Sequence, residues 1–210
     1  MKKSVKALLL VMCAIVLVVA TVFTTLAFLQ DTTKTLTNTF SIGKVSITLK
    51  ETKVNMYGQA VDAEDNVLPE GSDPVYVDAT DNAGANDYKI VPGTEYIKNP
   101  FVTVADGSET SFVYIAVKDT FNHDIVESGL EISDTEWTYL KDLTDGSKVY
   151  YYNNPVAAGS KLNVFSTEKF TIKGDLGDIV LDETEIAITA YAIQADNLTV
   201  TTAFDEFGVQ

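Results

Sequence analysis

Apolar residues recur at every second position along much of this 210-residue chain. That period belongs to extended strands, not to helices. The sharpest case is "SFVYIAVKD" (111–119), apolar on both faces: Phe112, Tyr114 and Ala116 on one, Val113, Ile115 and Val117 on the other. A strand apolar on both sides has to be covered twice, so it belongs at the centre of a layered sheet. The runs "NPFVTVAD", "EWTYLK", "KVYYYN", "KLNVF", "KFTIK" and "TEIAITAYAIQAD" read as further short strands. Turn formers in "DGS", "NNPVAAGS" and "KGDLGD" separate them. Many short strands with scarce helical periodicity predict an all-β fold, an antiparallel β-sandwich that is jelly-roll-like and has little helix. The C-terminal "NLTVTTAFDEF" is compatible with a short helix or a last strand, with helix preferred.

Two stretches depart from this rhythm. From Val54 to Asp87 the chain is acidic and rich in Asp, Asn, Gly and Ala, and only "VYV" at 75–77 resembles strand. This reads as a long acidic insertion or loop at 54–87 inside a single β-sandwich domain spanning 40–210. The other stretch is the N-terminus. Lys2, Lys3 and Lys6 precede a run without charge from Ala7 to Ala27. A basic start, an apolar stretch and a small-residue end are the parts of a secretory signal. The run is also about long enough to cross a bilayer, so a retained anchor is the competing reading. Thr25 and Ala27 are the small residues a signal peptidase needs, and they place the cut between Ala27 and Phe28. Cys13 does not suit a lipoprotein signal, since the bulky Met12 precedes it and the apolar run continues beyond it.

Directly after that cut the chain becomes a ladder. From Thr33 on, threonines fill alternate positions (Thr33, Thr35, Thr37, Thr39), opposite Lys34, Leu36, Asn38, Phe40 and Ile42. β-Branched residues at this period favour strand. "FSIGKVSITLK" carries the alternation on, through Phe40 and Ile42 and then, after a parity change at Gly43–Lys44, through Val45, Ile47 and Leu49. A parity change of this kind is what a β-bulge produces. The segment 28–39 is expected to be an extension that serves as a donor strand for a neighbouring subunit, with Phe28, Leu29, Leu36 and Phe40 entering the acceptor. Its competitor is a first strand within its own domain.

Charge and chemistry narrow the function further. The formal net charge is −15 at pH 7, and removal of the three N-terminal lysines makes the exported chain more acidic still. Such a surface repels nucleic acid and anionic lipid, so neither is an expected partner, and no membrane contact is expected after cleavage. The single cysteine lies in the signal, which rules out a disulfide framework in the exported chain. His123 is the only histidine, so the paired histidines of a zinc protease cannot form. It reads as a surface residue in the polar stretch "DTFNHDIVESG". No catalytic residue, metal site or cofactor is expected. "DAEDN" (62–66) and "DATDN" (78–82) concentrate oxygen ligands but lack the spacing of a calcium loop. Tyr150, Tyr151 and Tyr152 alternate faces in a strand and, with Trp137 and Tyr139, are expected to serve packing more than sugar stacking. Asn197-Leu198-Thr199 fits a glycosylation triplet that is common by chance.

Several of these stretches resemble one family. "LAFLQDTTKTLTNTFSIGKVSITLKE" is similar to the start of the TasA and camelysin proteins, where "NTF" is followed by "G-x-V-x-I" leading into the first strand. "IVPGTEYIKNPFVTV", "KVYYYNNPVAAGS" and "ITAYAIQADNL" resemble later segments of that family. The 54–87 region has no counterpart. The resemblance implies a secreted jelly-roll subunit of an extracellular, biofilm-matrix fibre, with Phe28 as first mature residue. Its partners would be other copies of itself, a dedicated signal peptidase during export and an accessory matrix protein. The alternatives are a monomeric cell-surface adhesin using 54–87 as its contact surface, and a camelysin-type surface metalloprotease, for which the lone histidine leaves no zinc site.

Overall fold

The two-faced stretch at 111–119 is an inner strand, with a paired neighbour on each side. The computed structural model describes Met12 and residues 44–79, 86–177, 179 and 184–209. The signal, the Ala27–Phe28 cut, the threonine ladder with Leu29, Leu36 and Phe40, and the parity change at Gly43 lie outside the described residues.

Among the described residues eleven strands form three sheets, and each of their pairings is antiparallel. The first sheet has the order β2 (Tyr76–Asp78), β1 (Ile47–Thr52), β4 (Phe101–Val104), β9 (Lys161–Asn163). A small sheet follows: β3 (Glu95–Ile97), β10 (Lys169–Ile172), β6 (Val126–Ser128). The third has the order β11 (Ile186–Gln194), β5 (Ser111–Asp119), β8 (Lys148–Tyr152), β7 (Trp137–Asp142). Near the C-terminal end a short helix, α1 (Val200–Ala203), runs into a 3₁₀ turn at Phe204–Phe207. The chain is an all-β, antiparallel protein of the sandwich type. The strand orders leave the jelly-roll connectivity as an expectation.

β5 is covered on both faces, as its sequence requires. Val113, Ile115 and Val117 join Tyr96, Val102, Val104, Trp137, Phe170 and Ile172, so that all three sheets contribute to one core. Tyr114 and Ala116 on the opposite face meet Leu143, Val149, Ala203 and Phe204, a second core closed by the C-terminal helical turn. Each fully buried Val or Ile contributes about 1.5–3 kcal/mol relative to exposure. The tyrosine run divides by parity as expected: Tyr150 and Tyr152 lie against the first core, Tyr151 against the second. Trp137 is buried, and its indole N–H donates to the Asn163 carbonyl at 2.8 Å. Tyr139 packs at the rim, edge-on to Tyr150 at 5.9 Å between ring centroids and 49% exposed. It sits on an edge strand, where the row it shares with Tyr150 runs past the limit of the core.

The 54–75 part of the expected insertion is folded onto the domain. Isolated bridges join Val54 to Ala60 and Val61 to Val67, and Val61 is fully buried. The Gly58 carbonyl accepts from the Ile97 N–H at 3.0 Å, and the Met56 carbonyl accepts from the Lys89 N–H at 2.7 Å. β2 follows at one residue's offset from the expected "VYV".

Candidate functional site: an uncharged sheet edge

A sheet edge is a row of backbone donors and acceptors aimed outward, and proteins protect it with short strands, bulges or charge. Among the described residues most edges here carry such protection. β2, β3, β6 and β9 are three residues long. β2 also carries an ion pair, Asp78 to Lys50 at 3.3 Å. β7 is broken by a register shift between Tyr139 and Lys141, and Lys141 reaches Asp205 at 2.8 Å.

β11 has none of these devices. Its nine residues, "IAITAYAIQ", contain no charge, proline or glycine. It pairs with β5 from Ile186↔Asp119 to Gln194↔Ser111 without a register shift. On one face Ile186, Ile188, Ala190 and Ala192 continue the first core, half-buried; on the other, Tyr191 and Ile193 continue the second. Tyr191 is braced by Phe204 at 5.4 Å and Phe207 at 5.2 Å between ring centroids. Ala187 and Thr189 are exposed. Both apolar layers therefore run out to this edge, where a further strand would extend them.

Lys44 lies close to one end of that edge. The Lys44 carbonyl accepts from the Glu109 N–H at 3.0 Å, and the neighbouring Thr110 carbonyl accepts from the Ala195 N–H at 2.9 Å, just past the end of β11. Ser46 is fixed to the same loop by its N–H to Ser108 Oγ at 3.2 Å.

The other residues singled out in the sequence are placed elsewhere. His123 is at the surface, its Nε2 2.7 Å from Asp119 Oδ2 and its ring edge-on to Phe121. The "DAEDN" turn is filled from within. Asp62 Oδ1 accepts from the backbone N–H groups of Glu64 and Asn66, and Asn66 Nδ2 donates to Oδ2. These bonds, the Asn66 backbone first, hold the Asp62 carboxyl below its ordinary value of 3.8. Lys53 Nζ then occupies the place of a cation, donating to the Asp62 and Ala63 carbonyls at 3.1 and 3.0 Å and meeting Asp65 at 2.7 Å. Among the described residues no three His, Cys, Asp or Glu side chains gather as a metal site. In "DATDN", Asp78 faces Lys50, Ala79 is exposed, and residues 80–82 lie outside the described residues.

The fold defines an antiparallel β-sandwich protein, and among the described residues β11 is the edge strand without charge, bulge or proline. Comparisons of the chain with protein-family models, curated proteins and solved structures find no match.

Proposed function

We propose that this protein is a secreted structural subunit of an extracellular fibre, of the biofilm-matrix kind, in which the N-terminal strand of one copy pairs with β11 of the next. The observation that carries this reading is the uncharged, unbulged nine-residue edge of β11. The ladder from Thr33 to Ile42 suits it in length, since ten extended residues reach about 33 Å. Leu36 and Phe40 share one face of that ladder and would cover the side where Ile186, Ile188, Ala190 and Ala192 are half-buried. Pairing within one copy is the less favourable arrangement. A segment that lies along β11 and leads directly into Lys44 runs in the same direction as β11, and parallel ladders are slightly less stable per residue. A strand from another copy is free to dock antiparallel, gaining main-chain bonds along its length.

A second reading, a monomeric adhesin, draws on the 54–75 segment, where Met56, Tyr57 and Val67 stand exposed. Electron microscopy and sedimentation of the secreted protein separate the two. Fibres are expected from wild type. Deletion of Phe28–Thr39, or Thr189→Lys on the exposed side of β11, should give folded monomer without fibres. Polymerisation of both variants at the wild-type level would sink strand donation, and a wild type that stays monomeric at all concentrations would favour the adhesin. Processing has its own measurement: the secreted chain should begin at Phe28, and Ala27→Tyr should leave precursor in the membrane.

A further inference from the structure

Away from β11, one carboxylate holds an amine and a carboxamide at the same time. Glu51 lies on β1, Lys98 follows β3 directly, and Asn86 opens the segment that leads to β3. Glu51 Oε2 is 2.7 Å from Lys98 Nζ, and the two side chains are only 12% and 11% exposed. The other carboxylate oxygen, Oε1, accepts from Asn86 Nδ2 at 2.8 Å. Nδ2 also donates to the Thr52 carbonyl at 2.9 Å, while Asn86 Oδ1 accepts from the Val54 N–H at 3.0 Å. Tyr88 walls the cluster, its ring centroid 5.7 Å from Lys98 Nζ and its hydroxyl donating to the Ile97 carbonyl at 2.9 Å. Burial, and then the Glu51 charge, push the Tyr88 phenol well above its ordinary value, so it stays neutral.

Amide transfer needs a nucleophile, an acyl group and a proton carrier in contact, with little water. Lys98, Asn86 and Glu51 are groups of these three kinds, and the amine and the carboxamide meet on the two oxygens of one carboxylate. We propose that Lys98 and Asn86 join in an intramolecular isopeptide bond, with Glu51 carrying the protons. Glu51 Oε2 takes a proton from the Lys98 ammonium, and the freed lone pair on Nζ attacks Asn86 Cγ. As the Nζ–Cγ bond forms, the carbonyl electron pair moves onto Oδ1, where the Val54 N–H supports the developing charge. The Glu51 carboxyl then turns so that its protonated oxygen faces Asn86, and delivers that proton to Nδ2. The carbonyl re-forms, and the Cγ–Nδ2 bond breaks with its electron pair on nitrogen. Of the three ammonium protons, one stays on the new amide and one leaves within ammonia. The third passes by way of Glu51 to solvent. Nothing is oxidised or reduced. The bond ties the end of the acidic stretch to the residue that directly follows β3, and it is independent of fibre formation.

Peptide mass spectrometry of the purified, denatured full chain tests this. All basic residues of the chain are lysine, so trypsin cuts after Lys53, Lys89, Lys98 and Lys118. An acylated Lys98 resists cleavage. The expected product is Val54–Lys89 joined to Ile90–Lys118, lighter by one ammonia than the two peptides together. Lys98→Arg keeps the positive charge, and Glu51→Gln removes the proton carrier; both should lose the joined product. Wild-type protein that yields only separate peptides of full mass, cut at Lys98, overturns the proposal, and that readout needs no variant to fold. Joining at the wild-type level in Glu51→Gln would overturn the role given to Glu51.

Discussion

The Tyr114 hydroxyl donates to the Val200 carbonyl at 2.6 Å, across 86 residues of sequence. This bond fastens the C-terminal helical turn to the central strand. Around it Tyr114, Tyr191, Phe204 and Phe207 pack ring against ring, at 5.2–6.0 Å between centroids. Tyr114→Phe retains the ring but leaves the carbonyl without this donor. Urea unfolding should show a loss of about 1–3 kcal/mol, the cost of a buried polar group left unpaired. An unchanged midpoint would mean that water replaces the hydroxyl.

Burial pushes the Tyr114 phenol up to about 12 from 10.0. The folded state therefore keeps this proton at a pH where the unfolded chain has released it, and stability falls as pH rises through that interval. Thermal melts should be insensitive to this group below pH 10 and decline toward pH 12. In Tyr114→Phe this part of the decline should be missing.

Lys53 is the internal cation of the 62–66 turn. Lys53→Met removes its contacts to Asp62, Ala63 and Asp65 and should speed amide hydrogen exchange at Asn66 and Leu68, while adding a chelator to wild type should change nothing. The pH dependence follows from the lowered Asp62 value. A carboxylate held below its ordinary pKa stabilises fully above that value and loses its effect as pH falls through the folded one. Protection of the turn should hold above pH 3.8 and fade below it. Fading that begins well above that pH would point to a different group.

Gly58 shows how closely the 54–75 segment is applied to the domain. Its φ is +72°, and a Cβ there would lie 2.6 Å from the Tyr96 Cα. Gly58→Ala meets both backbone strain and a backbone neighbour that cannot swing aside. A loss of about 2 kcal/mol or more is expected in equilibrium unfolding. A neutral result would show that the segment lifts away at little cost.

The sequence was most informative where side-chain period alone decides placement. The two faces of 111–119 and the divided tyrosines at 150–152 are such cases, because parity assigns each residue to a layer. Length defeated the reading of β3 and β6: "EYI" and "VES" are too short to show a period. How far Tyr139 is exposed is not legible in the sequence, because that depends on where a sheet ends, and alternation is the same at an edge as at a centre. For that reason "IAITAYAIQ" was recognisable as a strand and not as an edge. Lys53 could not be matched to 62–66, nor Glu51 to Lys98 and Asn86, because those meetings are made by turns and sheet register between distant segments.

The ladder between β5 and β11 also sets how the chain reaches its native state. Thr120 and Glu185, bonded just beyond the paired strands, are 65 residues apart. Contacts between such distant segments form late, because loop closure has to precede any reward from pairing. β5 is thus left without one of its neighbours until β11 has been made. Refolding should be slow, on the ms–s scale of β-rich domains, and a chain ending before Ile186 should aggregate through its unfinished sheet.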